Sequence, residues 1–214
     1  MLRLRAGDAL CLFDGRGGEY AAVLVRGAGG VLVAQLGEHT PDRGESPLAV
    51  CLVQGISRGE RMDYTLQKAV ELGVQAIVPV VTERTVLRLQ GEREQRRLAH
   101  WRGVVLAACE QSGRTRVPPV AAPCTLAEHL TQAPTGAAFL LDPQASEALI
   151  QVGPVDGPVS VLIGPEGGLA LHERRAAQDA GYRAVRMGPR VLRTETAAVV
   201  ALALLQALAG DLGA

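Results

Sequence analysis

Two glycine-bearing segments, each set between an apolar strand run and a helix start, hold the residues best suited to chemistry. The first is VSVLIGPEGGL, residues 159–169, where a buried strand run enters a loop containing Gly164, Pro165, Gly167 and Gly168. Ligands of open α/β sheets sit at the carboxyl ends of strands, and glycine lacks the Cβ that keeps a ligand off the backbone. The second is MGPRVLRTETAA, residues 187–198, where Gly188-Pro189 follows a short extended run and Thr194-Glu195-Thr196 opens a helix. Two such loops are suited to enclose one ligand, and a plain structural turn is the competing reading of the first. A third segment, ACEQSGR at 108–114, ends a long helix and offers Glu110, Gln111 and Arg114. Arg114 stands beyond Gly113, where its side chain is expected to be free to reach outward; a solvated helix end is the alternative.

Other chemistries lack their residues. Gly15-Arg16-Gly17 meets Tyr20 where a dinucleotide fingerprint needs its third glycine, and no Gly-Lys-Ser/Thr of a phosphate loop occurs. There is no G-x-S-x-G elbow, the four histidines have neither ligand nor triad spacing, and His172 reads as a surface residue. Cys11, Cys51, Cys109 and Cys124 are widely separated without a C-x-x-C pair, the pattern of reduced thiols rather than of a metal site or disulfides.

The elements that must position these loops can be traced by periodicity. Residues 1–46 read as short strands broken by glycine, at Ala9–Phe13, Tyr20–Arg26 and Val31–Leu36, followed by a linker at His39–Pro47. From residue 47 onward strands alternate with helices, which predicts a mainly parallel α/β sheet. Strands are expected at Leu48–Val53, Ala76–Val81, Ala137–Leu141, Val159–Ile163 and Ala184–Arg186. Helices are expected at Arg61–Leu72 with Gly73 behind it, Glu92–Ser112, Leu171–Ala180, and Thr194 to about Ala209 with Thr194 as its cap. Lys68 and Glu71 fit a surface pair three residues apart. Residues Ala197–Leu205 are apolar on every face, so that helix must be covered all round, in a core or by another subunit.

The chain of 214 residues is 48% hydrophobic and 21% charged with zero formal net charge, which excludes general disorder. No apolar run approaches the ~18 residues of a membrane span, and the start MLRLRAGD has no export signal, so a cytoplasmic location is expected. Charge is unevenly spread. Eight arginines face three glutamates between Arg84 and Arg116, and six face one aspartate between Arg174 and Arg193, a balance of +5 in each stretch. Such stretches suit a confined phosphate-binding face, or ordinary solvated helix surface.

KAVELGVQAIVPV (68–80), ACEQSGR (108–114), LIGPEGGL (162–169) and MGPRVLRTETAAVVAL (187–202) together resemble the ribosomal RNA small subunit methyltransferase E family. LRLRAGDALCLFDGRGGEY (2–20) resembles that family's PUA-like RNA-binding domain, although family members begin with additional residues ahead of it. The resemblance implies a SPOUT-type α/β fold with a C-terminal trefoil knot over 47–214, preceded by a small PUA-like β-barrel over 1–46. It implies a cytoplasmic homodimer in contact through the knotted regions, needing no metal. It also implies methyl transfer from S-adenosylmethionine to N3 of a uridine in 16S ribosomal RNA of the small ribosomal subunit. The cofactor residues it assigns are Leu162, Gly164, Pro165, Glu166, Gly167 and Gly168 on one loop, and Met187, Gly188, Val191, Leu192, Arg193, Thr194, Glu195 and Thr196 on the other. Deprotonating uracil N3 demands a proton acceptor and stabilisation of charge on the flanking carbonyls, roles for which Glu110 and Arg114 are the candidates. A non-catalytic RNA-binding protein of this fold, and a methyltransferase acting on another RNA position, are the alternatives.

Overall fold

The computed structural model describes residues 4–41, 44–86 and 91–213. Asp42 and Arg43 of the expected linker, and Arg88 of the first basic stretch, lie outside them. The chain divides into two compact units, one of Met1–Glu45 with Cys109–Val117 and one of Ser46–Ala108 with Pro118–Ala214.

The first unit holds β1 (Ala9–Leu12), β2 (Glu19–Arg26) and β3 (Leu32–Thr40) in an antiparallel sheet of order β1-β2-β3. The β1–β2 connection carries Gly15, Gly17 and Gly18 at positive φ, a turn that side chains with a Cβ adopt only under strain. Its amides explain why a distant segment belongs to this unit. Gly17 N–H donates to the Thr115 carbonyl at 3.2 Å, and Gly18 N–H to Thr115 Oγ1 at 2.9 Å. Two expectations are corrected. Among the described residues the named strands form an open sheet and not a barrel, because β1 and β3 each pair only with β2. β3 also runs through His39 and Thr40, residues expected in the linker.

The second unit is built from β4 (Val50–Gly55), α1 (Glu60–Glu71), β5 (Ala76–Val81), α2 (Glu92–Ser112), β6 (Cys124–Thr125) and α3 (Leu126–Leu130). It continues with β7 (Ala137–Leu141), β8 (Val159–Ile163), α4 (Leu171–Asp179), β9 (Arg183–Val185) and α5 (Thr194–Ala209); the last residues of α2 fall in the other unit. All six strands are parallel, in the order β6-β5-β4-β8-β7-β9. Parallel sheets bury both faces, which explains why the central strands read as unbroken apolar runs. Leu52, Ile77, Val161 and Leu162 in β4, β5 and β8 are fully buried. The sequence reading missed β6 and α3. Their signal was a capping box: Thr125 Oγ1 accepts the Glu128 amide at 3.1 Å, and Glu128 accepts the Thr125 amide at 2.8 Å.

Helix α5 buries Ala198, Ala201, Leu202 and Leu205, while Val199, Val200, Ala203 and Leu204 are only half-buried and Leu208 is exposed. Its apolar surface is therefore covered on one side within the chain. The same helix locks α1 in place. Gln206, fully buried, donates from Nε2 to the Leu72 carbonyl at 3.0 Å and accepts at Oε1 from Ser46 Oγ at 2.6 Å. Carbonyls in the last turn of a helix have no partner within it, and Gln206 supplies one at the end of α1. Gly73, at φ +73°, lies so close that an added Cβ would stand 2.7 Å from Gln206 Nε2. Replacing Gln206 with Leu strands the Leu72 carbonyl and the Ser46 hydroxyl. Urea unfolding is expected to show a loss of about 1–3 kcal/mol, and unchanged stability would refute this role.

Candidate functional site

The carboxyl ends of β7, β8 and β9, with the start of α5, surround a cavity of about 520 Å³. That is within the range of about 300–1,000 Å³ typical of small-molecule sites. Its walls are the segment 141–144 after β7, the loop 163–169 after β8, residues 185–187 at the end of β9, and residues 190–195 with Ala197 leading into α5. Arg61, Arg84 and Arg174 complete the lining. The structure thus brings both glycine loops of the sequence reading to one cavity, at the strand ends where α/β sheets hold ligands.

The GPEGG loop is shaped from within and clamped from three sides. Within it, the Gly168 amide donates to the Pro165 carbonyl at 2.8 Å, and Gly168 itself adopts φ +66°. A Cβ on Gly164 would stand 3.0 Å from the Gly168 carbonyl carbon, so the loop folds back on itself at backbone contact. From α5, Thr194 Oγ1 donates to the Gly164 carbonyl at 2.7 Å. From the start of α1, the Arg58 amide (2.9 Å) and Arg61 Nη1 (3.1 Å) both donate to Glu166 Oε1. From the turn after β5, Arg84 Nη1 donates to the Gly167 carbonyl at 2.8 Å.

Electrostatics follow from these contacts. Partial burial alone would raise the Glu166 pKa, but the Arg58 amide, its own amide and the Arg61 guanidinium outweigh it and hold the carboxyl below the ordinary range. Glu166 is therefore ionised at neutral pH and fixed to the start of α1. The turn bearing Arg84 is fixed in its own right. Thr82 N–H donates to Thr85 Oγ1, and the buried Glu173 carboxylate accepts both the Glu83 and Ala170 amides, each at 2.8 Å. Arg174 donates to Asp142 at 2.9 Å, which pins the segment after β7 against α4.

Several assigned residues do other work than expected. Thr194 is the first residue of α5 and not its cap: Arg193 precedes the helix without a side-chain cap, and the Thr194 hydroxyl is spent on Gly164. Leu162 is fully buried in the sheet core, and neither Leu162, Gly188 nor Thr196 is among the cavity-lining residues. Gly188 has φ +69°, which fits a backbone role in shaping the second loop. Val191 lines the cavity yet is 80% exposed, and Arg190 and Arg193 beside it are exposed too. His172 is a surface residue as expected, 3.6 Å from Glu83, and Lys68 pairs with Glu71 at 2.8 Å.

Arg114 requires a correction. It does not reach outward: it is 6% exposed and donates from Nε and Nη2 to the two carboxylate oxygens of Glu45, at 3.0 and 2.5 Å. The turn at Gly113 (φ +75°) sends the chain inward within the first unit, where the Arg114 amide also donates to the Cys109 carbonyl. Glu110 is exposed on α2, and neither residue lines the cavity. Conversely, sequence reasoning missed Gln54, Gly55, Arg58, Arg61 and Arg84. Gly55, a glycine just beyond a buried strand run, gave a local signal, and Arg84 opens the first basic stretch.

A family model described as an RNA methyltransferase domain matches residues 44–206, and one described as an RNA methyltransferase PUA domain matches residues 2–33. The ribosomal RNA small subunit methyltransferase E of Mycobacterium bovis is 36% identical over 207 residues, covering 94% of this chain and 78% of that protein. The Synechocystis protein of the same name is 35% identical over 214 residues, covering 97% and 69%. The crystal structure of the Neisseria gonorrhoeae enzyme of that name, bound to S-adenosylmethionine, superposes with a TM-score of 0.91 at 40% identity, over 98% of this chain and 87% of that one. A Legionella pneumophila protein, also solved with S-adenosylmethionine, superposes with a TM-score of 0.93 at 36% identity over the same shares. With the glycine loops, the parallel sheet and the match over most of its length in agreement, the chain belongs to the ribosomal RNA small subunit methyltransferase E family.

Proposed function

We propose that this protein transfers a methyl group from S-adenosylmethionine to N3 of a uridine in 16S ribosomal RNA of the small subunit. The observation that carries the reading is the cavity between the two glycine loops, whose relatives at 36–40% identity were solved with S-adenosylmethionine. The cavity fits such a ligand. Leu141, Ile163, Leu169 and Leu192 give it an apolar wall, and the loop backbone at 164–168 comes to the surface without side chains at Gly164, Gly167 and Gly168. When bound, S-adenosylmethionine supplies an electrophilic methyl group. The residues that would hold it are those of 164–168 with Met187, Val191, Leu192 and Glu195. The clamps at Gly164, Glu166 and Gly167 keep the loop in one conformation, so that little ordering is left to binding.

Holding two reactants in register can lower a transfer barrier by about 7–11 kcal/mol, and the arginines at the cavity supply the positive field an RNA backbone requires. Arg84, Arg186, Arg190 and Arg193 line it, with Arg61 and Arg174 committed to carboxylates. The sheet of the first unit is the RNA-binding, PUA-like part of this reading. The C-terminal segment, with α5 entering behind both loops, is read as the trefoil knot of the SPOUT class, and the protein as a cytoplasmic homodimer. The half-covered face of α5 supports the dimer, since a second copy would complete its burial.

Three measurements test the reading. Incubation with S-adenosylmethionine and small subunits lacking the modification is expected to label 16S RNA, with N3-methyluridine as the product on nucleoside digestion. A different methylated nucleoside would overturn the uridine-N3 assignment, and cofactor binding without transfer would favour the non-catalytic alternative. Light scattering is expected to give about twice 22.4 kDa, falling to the single-chain mass in Leu204→Arg; a monomer at micromolar concentration in the unaltered protein would refute the dimer. For Arg114, the buried pairing with Glu45 favours a structural role. Arg114→Ala should then destabilise by about 3–5 kcal/mol, because it leaves the carboxylate unpaired, while the rate at saturating RNA survives. A fall of about 10²–10³ in single-turnover rate at unchanged stability would instead make Arg114 the charge-stabilising group, with Glu110 as its proton-accepting partner.

A further inference from the structure

At its carboxyl end β4 passes beneath the loop that follows β8 with no space between them. A Cβ on Gly55 would overlap the Pro165 nitrogen and stand 2.5 Å from Pro165 Cδ. The peptide pressed against Gly55 is thus the one joining Gly164 to Pro165. Proline has no N–H, so this peptide brings a single polar group into the contact, the Gly164 carbonyl. Thr194 Oγ1 donates to that carbonyl at 2.7 Å. A hydroxyl has one hydrogen, and a carbonyl can only accept, so Thr194 must act as acceptor towards its other partner. That partner is Gln54, whose Nε2 lies 3.0 Å from Thr194 Oγ1 and 2.9 Å from the Gly55 carbonyl. The direction of every bond is fixed: Gln54 donates to Thr194, and Thr194 donates to Gly164. Gln54 is fully buried, Thr194 is nearly so, and Gln54 does not line the cavity.

The geometry points to Gln54 and Thr194 as positioning residues, which set the separation of the two cavity loops and so the affinity for S-adenosylmethionine. This rests on the cofactor reading above. Thr194 begins α5 directly after the second loop, while Gly164 begins the first, so one hydroxyl joins both walls of the cavity. Gln54 orients that hydroxyl from β4, a strand paired on both sides within the sheet. Thr194 acts through Gly164 and not as a ligand-binding donor, because its only hydrogen is already committed.

The test uses the full chain with Thr194→Val, which keeps the shape and loses the hydroxyl; Thr194→Ser, which keeps the hydroxyl; and Gln54→Leu, at a residue that is not among those lining the cavity. Calorimetric titration with S-adenosylmethionine is expected to show about a tenfold loss of affinity in Thr194→Val and Gln54→Leu, the scale of one buried hydrogen bond, with Thr194→Ser close to the unaltered protein. Without ligand, amide exchange at Gly168, whose N–H closes the loop onto Pro165, is expected to quicken about tenfold in the first two and not in the third. Loss of affinity in Thr194→Val alone would make Thr194 a direct ligand contact and overturn the inference. Gly168 exchange unchanged in both variants would overturn it as well. Failure of the unaltered protein to bind S-adenosylmethionine would sink the cofactor reading, and Gly168 exchange would still decide whether the two residues hold the loop.

Discussion

The van der Waals contact between Gly55 and the Gly164–Pro165 peptide governs the site. Two neighbouring parallel strands, β4 and β8, are joined by ladder bonds along their length, and a loop leaving one of them would ordinarily clear the end of the other. Here it crosses over that end instead, which requires a glycine below and rewards a proline above. Once the crossing is made, the loop has few conformations left. Its carbonyl at Gly164 needs a donor, its Glu166 carboxylate needs counter-charge, and each requirement is met from a different element. The cavity is therefore a consequence of how the loop is tied.

The ties also explain the odd chemistry of the arginines. A chain with zero net charge and only one lysine spends several guanidiniums on fixed partners: Arg61 on Glu166, Arg84 on a carbonyl, Arg174 on Asp142, Arg114 on Glu45. A planar guanidinium offers several donors in a rigid fork, so it can fix a loop where a lysine would only neutralise it. The arginines of the second loop have no such structural duty in the hydrogen bonds described, and they remain exposed with Val191. The first loop is thus tied from three elements, and the second carries exposed side chains at Arg190, Val191 and Arg193.

Much of this was legible in the residues. Apolar runs at 76–81, 137–141 and 159–163 gave their strands because parallel strands buried on both faces need such runs, and helical periodicity over 61–72 gave α1, which buries Met62, Leu66, Ala69 and Val70. The loops at 164–168 and 187–193 were found because glycine and proline at strand ends punctuate the chain locally. The short β6 and α3 were missed because two strand residues and five helical ones carry too little periodicity, even with a capping box present.

Tertiary structure alone decided what the sequence left open. Pairing is the reason. Arg114 looked available because a helix end followed by glycine is usually solvated, yet Glu45, 69 residues earlier in the chain, buries it. Thr194 looked like a cap because threonine before an apolar helix usually is one, yet a carbonyl 30 residues away takes its hydrogen. Gln54 and Gly55 lay beyond the strand expected at Leu48–Val53, and their part in the site comes from the loop after β8 lying across them. Local spacing determined which elements form and where the chain must bend. Which donor meets which acceptor is set by contacts between residues 30 to 140 positions apart, and no short-range pattern in a chain encodes them.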